Sequence, residues 1–212
     1  EQSYEITLGD YSKMDSERYV SIGDGNVYLV QTDPYDTFNC GLKSLIAQDT
    51  VPAFDQINSV EIAGEGTWSF AYSKENDVTY SEDDIYFAEK DGEGSLPLDT
   101  PKVKSYFSSL HSADLTDYVT YNADTEDLSQ YGLDQPELTL TVNYTSENGD
   151  GEDEDGSFVL YVGRDPADQD KELSDDEDSS EEITAYARVG ESNLIYQLSE
   201  SDYKALIACS YD

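Results

Sequence analysis

The stretch Glu137-Leu138-Thr139-Leu140-Thr141-Val142-Asn143-Tyr144 decides the fold class of this chain. Its polar and apolar side chains alternate at every residue, which is the period of a β-strand with one face in a core. A polar segment, residues 146–156, follows it and leads into a short apolar run, residues 157–162. Because polar turn residues between two such runs are typical of a hairpin, the sequence predicts an antiparallel pair here.

Further short apolar runs extend this pattern on the N-terminal side. Residues 59–63 and 67–72 are joined by Gly64-Glu65-Gly66 and predict a second hairpin, with Trp68 covering the core. The many turn residues between short runs are typical of antiparallel sheet, so strands should dominate the fold.

Three helical segments are predicted beside the strands. Thr100 before Pro101 resembles a helix start, in which a hydroxyl caps free N–H groups and proline occupies the first turn. Three apolar residues then follow at helical spacing: Val103, Phe107 and Leu110. A short turn over residues 124–131 should stop at Gly132, and a last helix should begin near Ser199 or Ser201. The predicted class is α+β, with antiparallel sheets and a few short flanking helices.

The two ends of the chain also look like two copies of one pattern. Gly9 aligns with Gly163 and Gly23 with Gly190, and a similar order of apolar runs surrounds each pair. The glycines of the second copy lie further apart because an acidic segment, residues 167–182, separates them. Such self-similarity predicts a tandem-repeat architecture.

Composition excludes some partners. With 48 acidic and 11 basic residues the formal charge is −37, which repels nucleic acid and anionic lipid headgroups. The 18 tyrosines indicate a folded chain despite its acidity. A solvated acidic surface favours a monomer, and salt adaptation or cation binding are the alternatives. The sequence lacks a run of about 18 apolar residues, so we expect no direct membrane insertion by this segment.

One loop has the composition of a cation site. The segment 148–156 alternates carboxylates with turn-forming glycines, and Asn148, Asp150 and Glu152 are the candidate calcium ligands. The bidentate glutamate of an EF-hand has no counterpart, because a strand begins at Ser157. A solvated hairpin tip is the alternative. The acidic run 175–178 lacks turn glycines and is interpreted as a charged loop.

The sequence offers little for catalysis. The single histidine, His111, follows a predicted helix near Ser108, Ser109 and Ser112, but none of these serines lies in a nucleophile-elbow pattern. We therefore expect neither enzymatic activity nor a cofactor. Cys40 and Cys209 could pair or remain free thiols. A sugar-binding aromatic platform could form from Trp68 with Tyr72, Tyr86, Tyr106, Tyr118 and Tyr144, although half-buried strand positions also suit tyrosine.

The run Asp127-Leu128-Ser129-Gln130-Tyr131-Gly132-Leu133-Asp134-Gln135-Pro136, followed by an alternating strand, resembles the domain-of-unknown-function 4340 family. Residues 160–163, 186–188 and 195–196 continue the resemblance, which covers roughly residues 55–208. It implies that residues 1–50 are the tail of a preceding repeat, with a hairpin and a helix. Residues 51–212 would then be a complete repeat unit that contains the acidic loop 167–182.

The resemblance implies bacterial, extracytoplasmic proteins, often anchored by an N-terminal membrane segment, and some similar to auxiliary components of gliding-type ABC export systems. It implies no catalytic residues. We therefore expect a non-catalytic interaction or scaffold domain of the cell envelope, anchored at the cell surface through a segment upstream of residue 1. Its partner would be an envelope protein or a glycan. The alternative is a glycan- or calcium-binding module.

Overall fold

The computed structural model describes residues 3, 5–64, 66–89, 94–113, 115–171, 173 and 182–208, apart from the side chain of Asp36. Several predicted features lie outside these residues: Cys209, the acidic run 175–178 and most of the acidic loop. The chain divides into two compact units, Glu1–Ala47 (unit 1) and Gln48–Asp212 (unit 2). The interpretation of residues 1–50 as the tail of a preceding repeat stays a prediction.

Unit 1 contains a three-stranded antiparallel sheet in the order β1-β2-β3. A one-turn helix, α1, and a 3₁₀ turn at Leu42–Leu45 follow the sheet. The elements are β1 (Thr7–Ser12), β2 (Glu17–Ser21), β3 (Tyr28–Val30) and α1 (Tyr35–Phe38). Paired residues such as Leu8, Val20 and Tyr28 share one face of this sheet.

Unit 2 is built on a nine-stranded sheet in which every neighbouring pair is antiparallel. The order is β7-β6-β5-β4-β9-β10-β11-β12-β8. In chain order its elements are β4 (Gln56–Ala63), β5 (Thr67–Tyr72), β6 (Tyr86–Glu89), β7 (Leu96–Pro97), α2 (Thr100–Ser112), β8 (Tyr118–Thr120), β9 (Leu138–Glu147), β10 (Asp153–Arg164), β11 (Ala185–Val189), β12 (Ile195–Leu198) and α3 (Glu200–Ile207). The fold is therefore α+β, and both predicted hairpins are confirmed.

Helices α2 and α3 cover one face of the large sheet. Helix α2 follows β7 at one edge and precedes β8 at the other, so it carries the chain across this face. Val103, Phe107 and Leu110 are buried as the spacing predicted. The Tyr106 hydroxyl donates to the carbonyl of Leu206 at 3.1 Å and joins the two helices.

The caps of the two helices differ in how well the sequence predicts them. Ser199 caps α3, because its Oγ accepts from the N–H of Asp202 at 3.1 Å. The prediction that Thr100 caps α2 is wrong. Asp99 accepts from the N–H of Lys102 at 3.1 Å, whereas Thr100 Oγ1 donates to the carbonyl of Asp83 at 3.0 Å. A carboxylate one residue earlier takes the cap, and the threonine ties the helix start to the preceding loop.

The opposite face of the sheet is covered at its β10–β12 end. Here the segment between β8 and β9 places Ala123, Leu128 and Leu133 against Ile195, with three tyrosines packed around them: Tyr131, Tyr161 and Tyr186. This second cluster lies across the sheet from the helices. Unit 2 therefore has three layers at this end and two at the β4–β6 end.

Candidate functional site

The predicted calcium ligands lie together at the tip of the β9–β10 hairpin. Asn148 Oδ1 accepts hydrogen bonds from the N–H groups of Asp150 and Glu152, each at 3.0 Å, and Gly151 adopts φ 79°. The amide oxygen of Asn148 is thus engaged by the turn itself. Among the residues that the structure describes, no group of three or more His, Cys, Asp or Glu is arranged to hold a metal ion. The calcium site stays a prediction.

His111 and its neighbouring serines are integrated into α2. The imidazole lies 5.0 Å from the ring of Phe54, and the hydroxyls of Ser108 and Ser112 donate to backbone carbonyls one turn earlier, at 3.0 and 2.9 Å. Ser109 Oγ donates in the same way at 3.3 Å. The hydroxyls of these serines therefore bond to the backbone of their own helix and not to a catalytic base.

The aromatic residues considered for sugar binding are packed individually. Trp68 lies 5.7 Å from Phe70, and Tyr72 lies 6.1 Å from Tyr86, which is buried. Tyr118 is also buried, and Tyr144 packs against Phe54 at 4.9 Å. These rings pack against other side chains of the fold and do not form a continuous exposed platform.

At the Tyr131-Gly132-Leu133 motif, two backbone segments pack so closely that no side chain fits between them. Gly132 ends the 3₁₀ turn Leu128–Tyr131 in the left-handed region at φ 65°, and a Cβ there would collide with the carbonyl oxygen of Arg164. A Cβ on Gly163 would collide with the carbonyl oxygen of Gly132. Two glycines facing each other allow this loop to pack on the end of β10.

A buried polar network lies beside this contact. The Arg164 guanidinium donates to Tyr203 Oη at 2.9 and 3.1 Å and to the carbonyl of Lys171 at 2.7 Å. Glu137 completes the network, with Oε1 3.2 Å from Arg164 Nε and Oε2 accepting from the Tyr203 hydroxyl. Burial, and next the hydrogen bond to Glu137, raise the pKa of Tyr203 to about 12. The hydroxyl therefore stays protonated as a donor.

A buried acid, Asp168, closes the base of the acidic loop. Its Oδ1 lies 2.7 Å from Lys171 Nζ, and its Oδ2 accepts from the N–H of Thr184 at 2.8 Å. The hydrogen bond from Lys171 is the largest of the causes that lower the pKa of Asp168. Asp168 and Lys171 therefore connect the start of the loop to its end.

The face of strands β9, β4, β5 and β6 opposite the helices carries a polar groove of about 490 Å³. Cross-strand pairing places its side chains in two rows, because paired residues of antiparallel strands share a face. The rows are Asn143-Ser59-Ala71-Phe87 and Thr141-Glu61-Ser69-Glu89. Ser73, Asn76 and Ser95 also line the groove. We call these residues the open-face groove.

Chemically, the open-face groove offers hydroxyls, amides and two carboxylates, whereas the ring of Phe87 in the same row is buried. Asn143 Nδ2 donates to Ser59 Oγ at 3.0 Å, and Asn76 Nδ2 donates to Ser95 Oγ at 3.4 Å. Glu61 and Glu89 belong to strands two apart, so their backbones lie about 10 Å from each other. Such a surface suits a ligand rich in hydroxyl or ammonium groups.

Unit 1 presents a different kind of surface. Most large apolar side chains that are exposed in the described chain belong to it: Ile6, Tyr11, Met14, Tyr19, Ile22, Val27, Tyr28, Leu29, Tyr35, Phe38, Leu42 and Leu45. Val20 is the one fully buried residue among those that the structure describes in unit 1. We call this set the apolar surface of unit 1. The number of exposed apolar side chains in this unit favours a contact with another protein.

An arginine organises the helix side of unit 1. The Arg18 guanidinium binds both carboxylate oxygens of Asp33, at 2.6 and 2.9 Å, and lies 4.6 Å from the ring centre of Tyr35. The hydrogen bond from Arg18 lowers the pKa of Asp33. Through these contacts with Asp33 and Tyr35, the planar guanidinium of Arg18 holds α1 against the sheet.

Sequence reasoning missed the open-face groove and the Arg164 network. Each assembles residues that are far apart in the chain, such as Ser59 with Asn143 and Arg164 with Tyr203. The alternation of β4, β5 and β9 marks the polar face of each strand, but the strand order that joins these faces carries no local signal.

The comparisons with known proteins agree with the family resemblance that the Tyr131-Gly132-Leu133 motif carries. Neither the curated proteins nor the solved structures include a match to this chain. The family described as "Domain of unknown function (DUF4340)" matches residues 89–208, which include the Tyr131-Gly132-Leu133 contact, Arg164 and Tyr203. Because this match covers more than half of the chain, the protein belongs to the DUF4340 family.

Proposed function

We propose that this chain is a non-catalytic, extracytoplasmic interaction domain of a bacterial envelope protein. The observation that carries the proposal is the apolar surface of unit 1, which holds most of the large aromatic and aliphatic side chains that are exposed among the described residues. Burying such side chains against a partner removes apolar area from water, at about 25 cal/mol for each Å². Unit 1 is therefore the part of the chain that gains most from a protein partner.

The envelope location draws on the sequence resemblance and on charge. The resemblance to extracytoplasmic proteins suggests a place beside an ABC-type export system, where the domain would act as an accessory scaffold. A charge of −37 keeps such a domain away from anionic lipid headgroups while it binds a protein. No helix within the described residues is long and apolar enough to cross a membrane.

Cys40 provides a direct test of location. Its thiol is exposed and, within the part of the chain that the structure describes, forms no disulfide. A Cys209→Ser variant of the full protein, expressed in bacteria, leaves Cys40 as the one thiol of this segment. We expect a membrane-impermeant maleimide to label Cys40 in intact cells. Labelling only after lysis would place the domain in the cytoplasm and contradict the proposal.

The interaction itself is tested by photo-crosslinking. A photoreactive residue at Phe38 samples the apolar surface, and the control at Tyr80 samples an aromatic in unit 2 that is more exposed still. We expect one discrete adduct from position 38 and none from position 80. Equal adduct patterns from both positions would mean non-specific contact and would remove the support for a partner at unit 1.

The open-face groove favours a second candidate, the binding of a sugar-like ligand. Its lining combines the hydroxyl, amide and carboxylate groups of Ser59, Asn143 and Glu61, which can form hydrogen bonds with the hydroxyls of a sugar. Neutral oligosaccharide fragments of the cell wall should then shift the backbone amide NMR signals of Ser59 and Ser69. A Ser69→Val variant should lose these shifts. Unchanged spectra at millimolar sugar would exclude this candidate.

A further inference from the structure

One of the two rows of the open-face groove carries a carboxylate on each side of a hydroxyl. In the antiparallel register Glu61 lies opposite Ser69, and Ser69 lies opposite Glu89. Residues paired in this way have Cα atoms about 5 Å apart and side chains on the same face of the sheet. The carboxylates of Glu61 and Glu89 can therefore both reach a group that sits over the Ser69 hydroxyl.

The groove contains no positive charge that compensates these two carboxylates. Among the described residues that line it, none is Lys, Arg or His. Glu61 and Glu89 form no ion pair with any residue in the described part of the chain, whereas the buried carboxylate of Asp168 is paired with Lys171. Two neighbouring negative charges with no cation between them attract a positively charged ligand.

A primary ammonium group matches this row in hydrogen bonding as well as in charge. An ammonium group donates three hydrogen bonds and accepts none, and an ionised carboxylate only accepts them. The row provides three acceptors side by side: the carboxylate of Glu61, the hydroxyl oxygen of Ser69 and the carboxylate of Glu89. Hydrogen bonds between charged partners are about twice as strong as those between neutral ones, so these contacts favour an ammonium group over a hydroxyl.

The rest of the groove carries neutral polar groups. Asn143 donates to the Ser59 oxygen at 3.0 Å, which leaves the Ser59 hydroxyl hydrogen and the Asn143 side-chain oxygen for a ligand. Asn76 and Ser95 form a second pair of the same kind at 3.4 Å. Apolar contact is small, because Phe87 is buried. The hydroxyls of a sugar can pair with these groups, whereas a hydrocarbon chain would leave them without partners.

Resting on the second candidate function, sugar binding in this groove, we infer that the open-face groove selects a sugar that carries a free amino group. The ammonium group lies over Ser69 between the two carboxylates, and the hydroxyls of the sugar lie along the row of Ser59 and Asn143. The groove volume of about 490 Å³ is within the range of small-molecule sites. Acetylation of the amine removes its charge and two of its three N–H donors, so an N-acetylated sugar binds more weakly.

The test compares three probes on the whole 212-residue chain by backbone amide NMR. The first probe is the β-1,4-linked disaccharide of glucosamine, and the second is its N,N′-diacetyl form. The third is 1,6-diaminohexane, which has the same charge as the first and no hydroxyls. All are titrated at about pH 6, where the amines are protonated. Glu61→Gln removes one carboxylate of the row, and Glu126→Gln, at an exposed position outside the groove, is the matched control.

We expect the glucosamine disaccharide to bind about tenfold more tightly than its diacetyl form, with shifted amide signals at Ser59 and Ser69. Glu61→Gln should weaken this binding about tenfold, which corresponds to the loss of one charge-assisted hydrogen bond. Glu126→Gln should leave the binding unchanged.

Equal binding of the two disaccharides would overturn the inference and leave sugar binding in the groove standing. Equal shifts with diaminohexane at Ser59 and Ser69 would also overturn it, because charge alone would then account for the binding. Equal losses in Glu61→Gln and Glu126→Gln would overturn it too, since the effect would come from the net charge of the chain. Unchanged spectra with both disaccharides would reject the inference together with the sugar-binding candidate.

Discussion

Among the described glycines, Gly132 and Gly163 leave the least room for an added Cβ. Gly132 combines φ 65° with a direct collision between an added Cβ and the Arg164 carbonyl oxygen. Backbone atoms on both sides prevent relief by a rotamer change. We predict that Gly132→Ala lowers the free energy of unfolding by about 3 kcal/mol, measured by urea denaturation.

Gly149→Ala is the matched control for this substitution. Gly149 has no positive φ, and an added Cβ would find nothing within 4 Å. Its effect should stay within about 0.5 kcal/mol. Similar losses for the two variants would show that the Gly132 effect is a general cost of removing glycine and that the close contact with Arg164 is not decisive.

Tyr203→Phe tests the buried network at the level of a single oxygen. It leaves the Arg164 guanidinium and Glu137 without their shared hydroxyl, so we predict a loss of about 1–3 kcal/mol at pH 7. Burial raises the folded-state pKa to about 12 from about 10 in the unfolded chain. The stability that Tyr203 contributes is therefore complete below pH 10 and is lost as pH rises toward 12.

The difference between wild type and Tyr203→Phe should accordingly shrink above pH 10. Tyr80→Phe, at an exposed position, should change neither the stability nor its pH dependence. A Tyr203→Phe deficit that persists unchanged at alkaline pH would mean that packing, and not the protonated hydroxyl, accounts for the loss.

Sequence reasoning identified some of these residues without their partners. The sequence predicts Gly132 as a stop signal, which its φ confirms, but its contact with Arg164 depends on a strand that begins 21 residues later, at Asp153. Thr100 was predicted as a cap because hydroxyls cap helices; Asp99 does so instead, since Thr100 donates to a distant carbonyl. Local chemistry predicts the type of a turn, whereas tertiary contacts decide which side chain serves it.

At the scale of elements, alternation predicted the strands and could not predict their order. The two hairpins, β4–β5 and β9–β10, are joined by short local turns and were recognised. The β4–β9 pair joins residues about 80 positions apart. Its formation depends on how well the apolar faces of the two hairpins exclude water when they lie side by side. The open-face groove follows from that pairing, so it was not predictable from local pattern.

The Asp168–Lys171 contact closes the base of the acidic loop. It also makes the stability of the protein depend on pH. Because the hydrogen bond from Lys171 lowers the folded-state pKa of Asp168, the stability it contributes is present above the unfolded value of about 3.9 and is lost as pH falls through the folded value. We predict that Asp168→Asn is less stable than wild type at pH 7 and that the difference shrinks below pH 4.

Asp170→Asn is the control, because it removes one charge from the exposed part of the same turn. It should leave stability at pH 7 nearly unchanged in thermal melts. If Asp170→Asn and Asp168→Asn behaved alike, the effect would come from net charge, and the ion pair at the loop base would contribute nothing specific.

At the scale of the whole molecule, the charge of −37 opposes compaction. Screening weakens this repulsion, since the Debye length falls from about 8 Å at 0.15 M salt to about 3 Å at 1 M. We predict that the Tm of the purified chain rises by several degrees over this range. Sodium and potassium chloride should act equally, and a Tm that falls with salt would show that attractive ion pairs outweigh the repulsion.

The calcium hypothesis for Asn148, Asp150 and Glu152 makes a sharper prediction against this background. A weak extracellular-type site with Kd near 0.5 mM would add about 1.4 kcal/mol at 5 mM calcium, or about 4 °C in Tm. Magnesium at the same ionic strength supplies equal screening without the larger coordination shell that calcium accepts. The site therefore requires a higher Tm with calcium than with magnesium, and Asp150→Asn must abolish that difference. Equal Tm values with the two cations would mean that the carboxylates of this hairpin tip are solvated and bind no calcium. The side-chain oxygen of Asn148 already accepts hydrogen bonds from the backbone of the turn.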